Sequence, residues 1–154
     1  MEVMPKVLVL VANDSDSSKS IAQSVREGAA AVRFTEVDVR AAESYYDAAD
    51  LREYDGIVVV GSGREVSPAF ATLFASGDLT DGNAFANTVM ASAGFDDGVF
   101  LERLASFGGI IVADRPSELT PDARAKLVGT RVAKVAEWVR HALSHEHAHH
   151  HHAH

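Results

Sequence analysis

The chain has no cysteine, no histidine before His141, and few aromatic side chains, 7% of its residues. The first absence excludes disulfides, thiolate nucleophiles and cysteine-based metal centres. The second means that any chemistry between Met1 and Arg140 works without imidazole. Lys and Arg number 14 against 22 Asp and Glu, a net charge of −8. Binding nucleic-acid phosphates needs a basic face, so the expectation is no nucleic-acid partner. No apolar run approaches the ~20 residues that span a bilayer. No secretory pattern opens the chain. The expectations are a cytoplasmic location and no membrane partner.

What is present fits one globular domain of 154 residues. Val7 to Ala12 is an unbroken apolar run, as in a strand covered on both faces. Ile21, Ala22, Val25, Ala29 and Val32 then recur at helical spacing, predicting a helix that starts near Ser18. Phe34 to Val39 alternates and reads as a second strand. Ala41 to Tyr54 is a polar connection with a short helix. Gly56 to Gly61, Asn87 to Gly94 and Gly108 to Asp114 read as three further strands. Thr120 as N-cap and Pro121 at the first helical position open a long final helix. Its predicted inner stripe is Val128, Val132, Val135, Val139 and Leu143. Short apolar strands alternating with helices predict an α/β three-layer sandwich. The expected sheet is parallel and five-stranded, in order 2-1-3-4-5.

In such sheets ligands bind beyond the carboxyl ends of the strands, where strand order reverses. Three segments qualify: Asn13 to Ser20, Ser62 to Pro68, and Ser92 to Asp97. The first supplies hydroxyls at Ser15, Ser17, Ser18 and Ser20, together with the backbone N–H groups of a helix start. Asp14 and Asp16 oppose an anion there. Two like charges ~5 Å apart at an effective dielectric of ~20 repel by about 3 kcal/mol. An anion therefore requires both carboxylates to point away. The plainer reading makes these Ser and Asp residues turn and cap formers.

Other motifs compete. Asn13 to Ser20 has the spacing of an ATP-binding P-loop, but Asn13 and Ser18 stand where its glycines belong. "GSGREV", from Gly61, lacks the third glycine of a dinucleotide fingerprint and follows the third strand rather than the first. "MASAG", from Met90, approaches a hydrolase elbow, but Ser92 has no histidine base. A receiver domain would need an acid after the third strand, where Gly61-Ser62 stands.

Seven of the eight histidines fall within the terminal "HEHAHHHHAH". His147, His149, His150, His151 and His152 are candidate metal ligands. Residues 144–154 otherwise read as a disordered tail or an appended tag after a domain of residues 1–143.

Taken together, "KVLVLVANDSDSSKSIAQSVREGA", "LREYDGIVVVGSG", "SPAFATLF", "ASAGF", "FGGIIV" and "ELTPDARAKLVGTRVAKVAEWV" resemble the flavodoxin-like fold. The likeness is to flavodoxins and to the NAD(P)H:quinone oxidoreductases that are similar to tryptophan-repressor-binding protein, and it covers most of Lys6 to Leu143. It implies FMN at the three-loop edge and electron or hydride exchange with a redox partner protein or NAD(P)H. By that resemblance Asn13, Ser15, Ser17, Ser18, Lys19 and Ser20 surround the phosphate. Ser62, Gly63, Arg64 and Ser67 border the flavin ring, and Ser92, Ala93, Gly94, Phe95 and Asp96 close its other side. Phosphate loops of the family usually carry Thr-Gly or Tyr-Gly where Ser15-Asp16 stands here. A reading from another class therefore stands beside the first: a module of the same fold that has lost the flavin and serves in interaction or metal handling.

Overall fold

A computed structural model describes residues 4–13, 15–44, 48–63, 67–74, 85–95, 109–112 and 119–152. Strands β1 (Lys6–Val11), β2 (Glu36–Ala41), β3 (Gly56–Gly63), β4 (Val89–Phe95) and β5 (Ile110–Ile111) form one sheet. Every pairing is parallel and the order is β2-β1-β3-β4-β5. The helices are α1 (Asp16–Ala30), α2 (Pro68–Phe74) and α3 (Pro121–His152), with 3-10 turns at Ala42–Ser44 and Ala48–Glu53. The fold is the expected α/β sandwich with helices on both faces. No helix among the described residues is long and apolar enough to cross a membrane.

Alternation along the strands sorts side chains by size. Leu8, Leu10, Ile57, Val59 and Met90 face one cluster with Leu51, Tyr54, Phe70 and Phe85. Val7, Val9, Val58, Val60, Val89, Ala91 and Ala93 face the other, packed by α1 and α3. The second face is built from short side chains because its helices lie close. A Cβ on Gly56 would sit 2.8 Å from Val132 Cγ1.

The two helices of that layer also meet backbone to backbone. A Cβ on Gly28 would overlap the Lys126 carbonyl, and one on Gly129 would overlap the Val25 carbonyl. Thr130 Oγ1 donates to the Gly28 carbonyl across the same crossing (2.9 Å). Nearer the helix starts, Ser20 and Ser24 donate to Asp122 Oδ1 (3.1 and 3.3 Å). At the opposite edge of the sheet one carboxylate joins three elements. Asp55 accepts the Lys6 N–H and an Arg140 N–H, each at 2.9 Å.

Several expected boundaries shift, each for a local reason. Phe34 is not the first strand residue. Its φ of 64° places it in the left-handed region, in the turn after α1. Pairing begins when the Glu36 N–H reaches the Pro5 carbonyl (3.0 Å). Helix α1 starts two residues before Ser18, because Ser15 is its N-cap. Strand β3 runs on to Gly63, so Ser62 stands in a strand and not in a loop, while β4 ends at Phe95, one residue past the expected Gly94. The inner stripe of α3 is broader than the valines alone. Ala125, Ala133 and Ala136 are buried beside Val128 and Val132, while Leu143 is 42% exposed. The backbone of α3 is helical through to His152.

The crossing yields a stability test. In an exposed helix, Gly to Ala gains about 1 kcal/mol. Gly129→Ala should instead lose about 1–3 kcal/mol, because two backbones must separate. Urea unfolding of the variant measures the sign.

Candidate functional site

Three chain segments meet at the carboxyl edge of the sheet. The Ala12 N–H bonds the Val60 carbonyl and the Ser67 N–H bonds the Ala12 carbonyl, both at 2.7 Å. These bonds draw the β1–α1 loop and the start of α2 together over the β1/β3 boundary, where strand order reverses. Here a cleft of about 370 Å³ opens, lined by Val11, Asn13, Lys19, Ala41, Glu43 and Ser67. That volume lies in the small-molecule range of roughly 300–1,000 Å³.

The loop before α1 is closed on itself. Ser18, fully buried, donates its hydroxyl to the Asn13 side-chain carbonyl. Ser15 donates to Ser18 Oγ (2.8 Å), and Ser15 Oγ accepts the Ser18 N–H (3.1 Å). The Lys19 N–H reaches the Ser15 carbonyl (3.0 Å). Of the first-turn N–H groups, those of Asp16 and Ser17 therefore have no carbonyl one turn behind them within the helix. They are the donors the helix start presents to an anion.

Charge at the cleft is mixed. Lys19 and Glu43 both line it. Asp16 is exposed in the first turn of α1, where an acid suits the helix dipole, and does not line the cleft. Asp14 lies outside the described residues.

The other expected site residues separate into groups. Asn13, Ser15, Ser18, Lys19 and Ser67 gather at the cleft or its hydroxyl ring, and Ser17 stands exposed on the first turn of α1. Ser20 is turned to Asp122, in the contact between α1 and α3. The Ser67 hydroxyl caps α2 by accepting the Phe70 N–H (3.2 Å). Ser62 and Gly63 end β3, with Gly63 paired to Phe95 after an irregularity in the ladder. Ser92 and Ala93 are buried inside β4, opposite Val59 and Val60. Gly94 reaches the rim with φ 85°, so close to Gly61 that a Cβ would overlap the Gly61 carbonyl. Arg64 and Asp96 lie outside the described residues, as do the side chains of His147, His149, His150, His151 and His152. Among the described residues no three His, Asp or Glu side chains cluster to hold a metal ion.

Glu43 and Ala41 were missed by the sequence reading. In order 2-1-3-4-5 the end of β2 adjoins the end of β1, so the residues just past β2 belong to this edge. That inference was open once the order was expected.

No protein-family model matches the sequence, and no curated protein is similar to it in sequence. Solved structures are similar in fold. A short-chain flavodoxin associated with a non-canonical PDU bacterial microcompartment superposes with a TM-score of 0.66 at 18% identity. It covers 86% of this chain and 99% of that one. The flavodoxin of Streptococcus pneumoniae TIGR4 gives 0.62 at 18% identity, with 84% and 97% covered. Oxidised flavodoxin 2 of Bacillus cereus gives 0.55 at 24% identity, with 85% and 97% covered. The chain has the flavodoxin-like fold.

The hydroxyl ring predicts its own energetics. Ser15→Ala removes the cap of α1 and should cost about 1 kcal/mol. Urea unfolding gives the loss, and amide exchange at Ser18 should rise with it.

Proposed function

We propose that the cleft at the β1/β3 boundary binds FMN and that the protein passes electrons through it, as a flavodoxin-like carrier or a small NAD(P)H-dependent flavin or quinone reductase. The observation that carries this reading is the cleft's position and lining. It lies where strand order reverses, beside a helix start with two N–H groups that have no carbonyl partner within the helix and one lysine. FMN would supply the redox chemistry of its ring, and the protein's part is to hold and orient it. The residues present suit such a group in donor type. The N–H groups of Asp16 and Ser17, the Ser17 hydroxyl and Lys19 would take the phosphate, while Asn13 and Ser67 would border the chain leading from it. Glu43 suits a ligand rich in hydroxyl donors. The fold shared with flavodoxins adds support, and the acidic remainder of the chain fits docking to a basic redox partner.

One observation favours the other reading, a flavin-free module of the same fold. Ser15, Ser18 and Asn13 already satisfy one another, so a phosphate would take bonds from a ring that is complete without it.

The readings part on a simple measurement. A carrier or reductase should be yellow as isolated, or should take up added FMN with quenching of flavin fluorescence. A colourless protein that leaves FMN fluorescence unchanged rejects the first reading. Lys19→Glu should weaken FMN binding at least about tenfold, since it replaces an attractive charge by a repulsive one. NAD(P)H oxidation with a quinone acceptor then separates enzyme from carrier.

A further inference from the structure

The net charge of −8 is not spread evenly. Helices α1 and α3, one outer layer of the sandwich, carry seven basic and five acidic side chains. The rest of the chain carries seven and seventeen. Within that layer α3 is a continuous helix of 32 residues, about 48 Å long. Its inner face is spent on the core by Ala125, Val128, Val132 and Ala136.

The outer face has a pattern of its own. At about 100° per residue, Leu127, Arg131, Lys134, Trp138, His141 and Ala142 fall within about 60° of one line along the helix. Asp122 and Glu137 fall outside that arc, so this stretch of the ridge has no carboxylate. Trp138, the only tryptophan of the chain, is 73% exposed, and Leu127 is 39% exposed. An indole left in water among cations is an unusual use of the largest apolar side chain. Trp is enriched where one end of a ring is apolar and the other wet.

We propose that this ridge of α3 rests on the surface of an anionic phospholipid bilayer, with Trp138 and Leu127 entering the headgroup region and Arg131 and Lys134 facing the lipid charge. Three features select a bilayer over a protein or a nucleic acid. The ridge is the outer face of a helix and so convex, and none of its residues lines the cleft at the β1/β3 boundary. A protein partner needs a pocket to anchor on, whereas a deformable flat surface does not. Nucleic acid would use the cations and leave Leu127 without a role. A second copy meeting this one antiparallel would set Arg131 and Lys134 against their own images. Charge is screened over about 8 Å at physiological salt, so a surface facing the ridge meets its local sign and not the net −8. The contact is peripheral and spans nothing, so it differs from the expectation of no membrane partner without requiring a spanning segment.

The single tryptophan reads the test directly. Full-length protein is titrated with vesicles of phosphatidylcholine containing about 30% phosphatidylserine at pH 8. The expected result is a blue shift of Trp138 emission together with co-sedimentation. Both should be absent with phosphatidylcholine alone and weakened by 0.5 M salt. Arg131→Glu combined with Lys134→Glu should lower partitioning at least about tenfold, each residue acting through lipid charge. Trp138→Ala should lower co-sedimentation about fivefold or more. These positions lie outside the core, and circular dichroism checks that the variants fold. No shift with acidic vesicles overturns the proposal, as does an equal shift with neutral ones. A shift with polyglutamate or a DNA duplex but not with vesicles also overturns it and assigns the ridge to another anion.

Discussion

The close crossing of α1 and α3 is the constraint from which the rest of this molecule is arranged. At Gly28 and Gly129 each helix lays its backbone on the other, and no side chain fits between them. The sheet beneath must then present short residues, and it presents Val and Ala almost throughout. The bulky aromatic and Met side chains collect on the opposite face, where α2 and the 3-10 turns leave more depth. Because α1 is held along its length by α3, its first turn is delivered to the carboxyl edge of the sheet in a fixed place. Asp122 reinforces that placement near the helix starts by accepting from Ser20 and Ser24. Ser20 thus ties the start of α1 to the start of α3.

The cleft follows from this arrangement and from the parting of the connections after β1 and β3, to α1 on one face and α2 on the other. Its chemistry is that of a helix start whose hydroxyls have turned inward. Ser15 and Ser18 bond to each other and to Asn13, and Lys19 and Glu43 line the cleft beside them. A preorganised loop of this kind lowers the ordering cost of binding.

Much of the fold was legible because buried parallel strands are written as continuous apolar runs and helices as an apolar stripe. Val7 to Ala12 and Gly56 to Gly61 show their character in a glance at the sequence. Strand ends were less legible, since β3 and β4 continue through Ser, Gly and Ala, residue types that equally mark loops. That is why Ser62 was taken for a loop residue and proves to be strand. Phe34 has strong strand propensity, yet the turn out of α1 holds it at positive φ with its ring beneath the Arg33 guanidinium, 4.9 Å away. The direction of a serine on a helix face was beyond sequence reasoning, because Ser20 finds its partner 102 residues later. Glu43 sits in the 3-10 turn that follows β2, and it reaches the same edge because β2 ends beside β1.

Strand β2 is an outer strand of the sheet, paired on one side by β1. Its residues alternate as Glu36, Val37, Asp38, Val39, Arg40, with Val39 largely uncovered. Stacking of identical strands in register, the geometry of a growing fibril, would set each of these charges about 4.8 Å from its own copy. Glu36, Asp38 and Arg40 would each then repel themselves at every layer. The open border of the sheet thus carries, in three alternate side chains, its own resistance to templated aggregation.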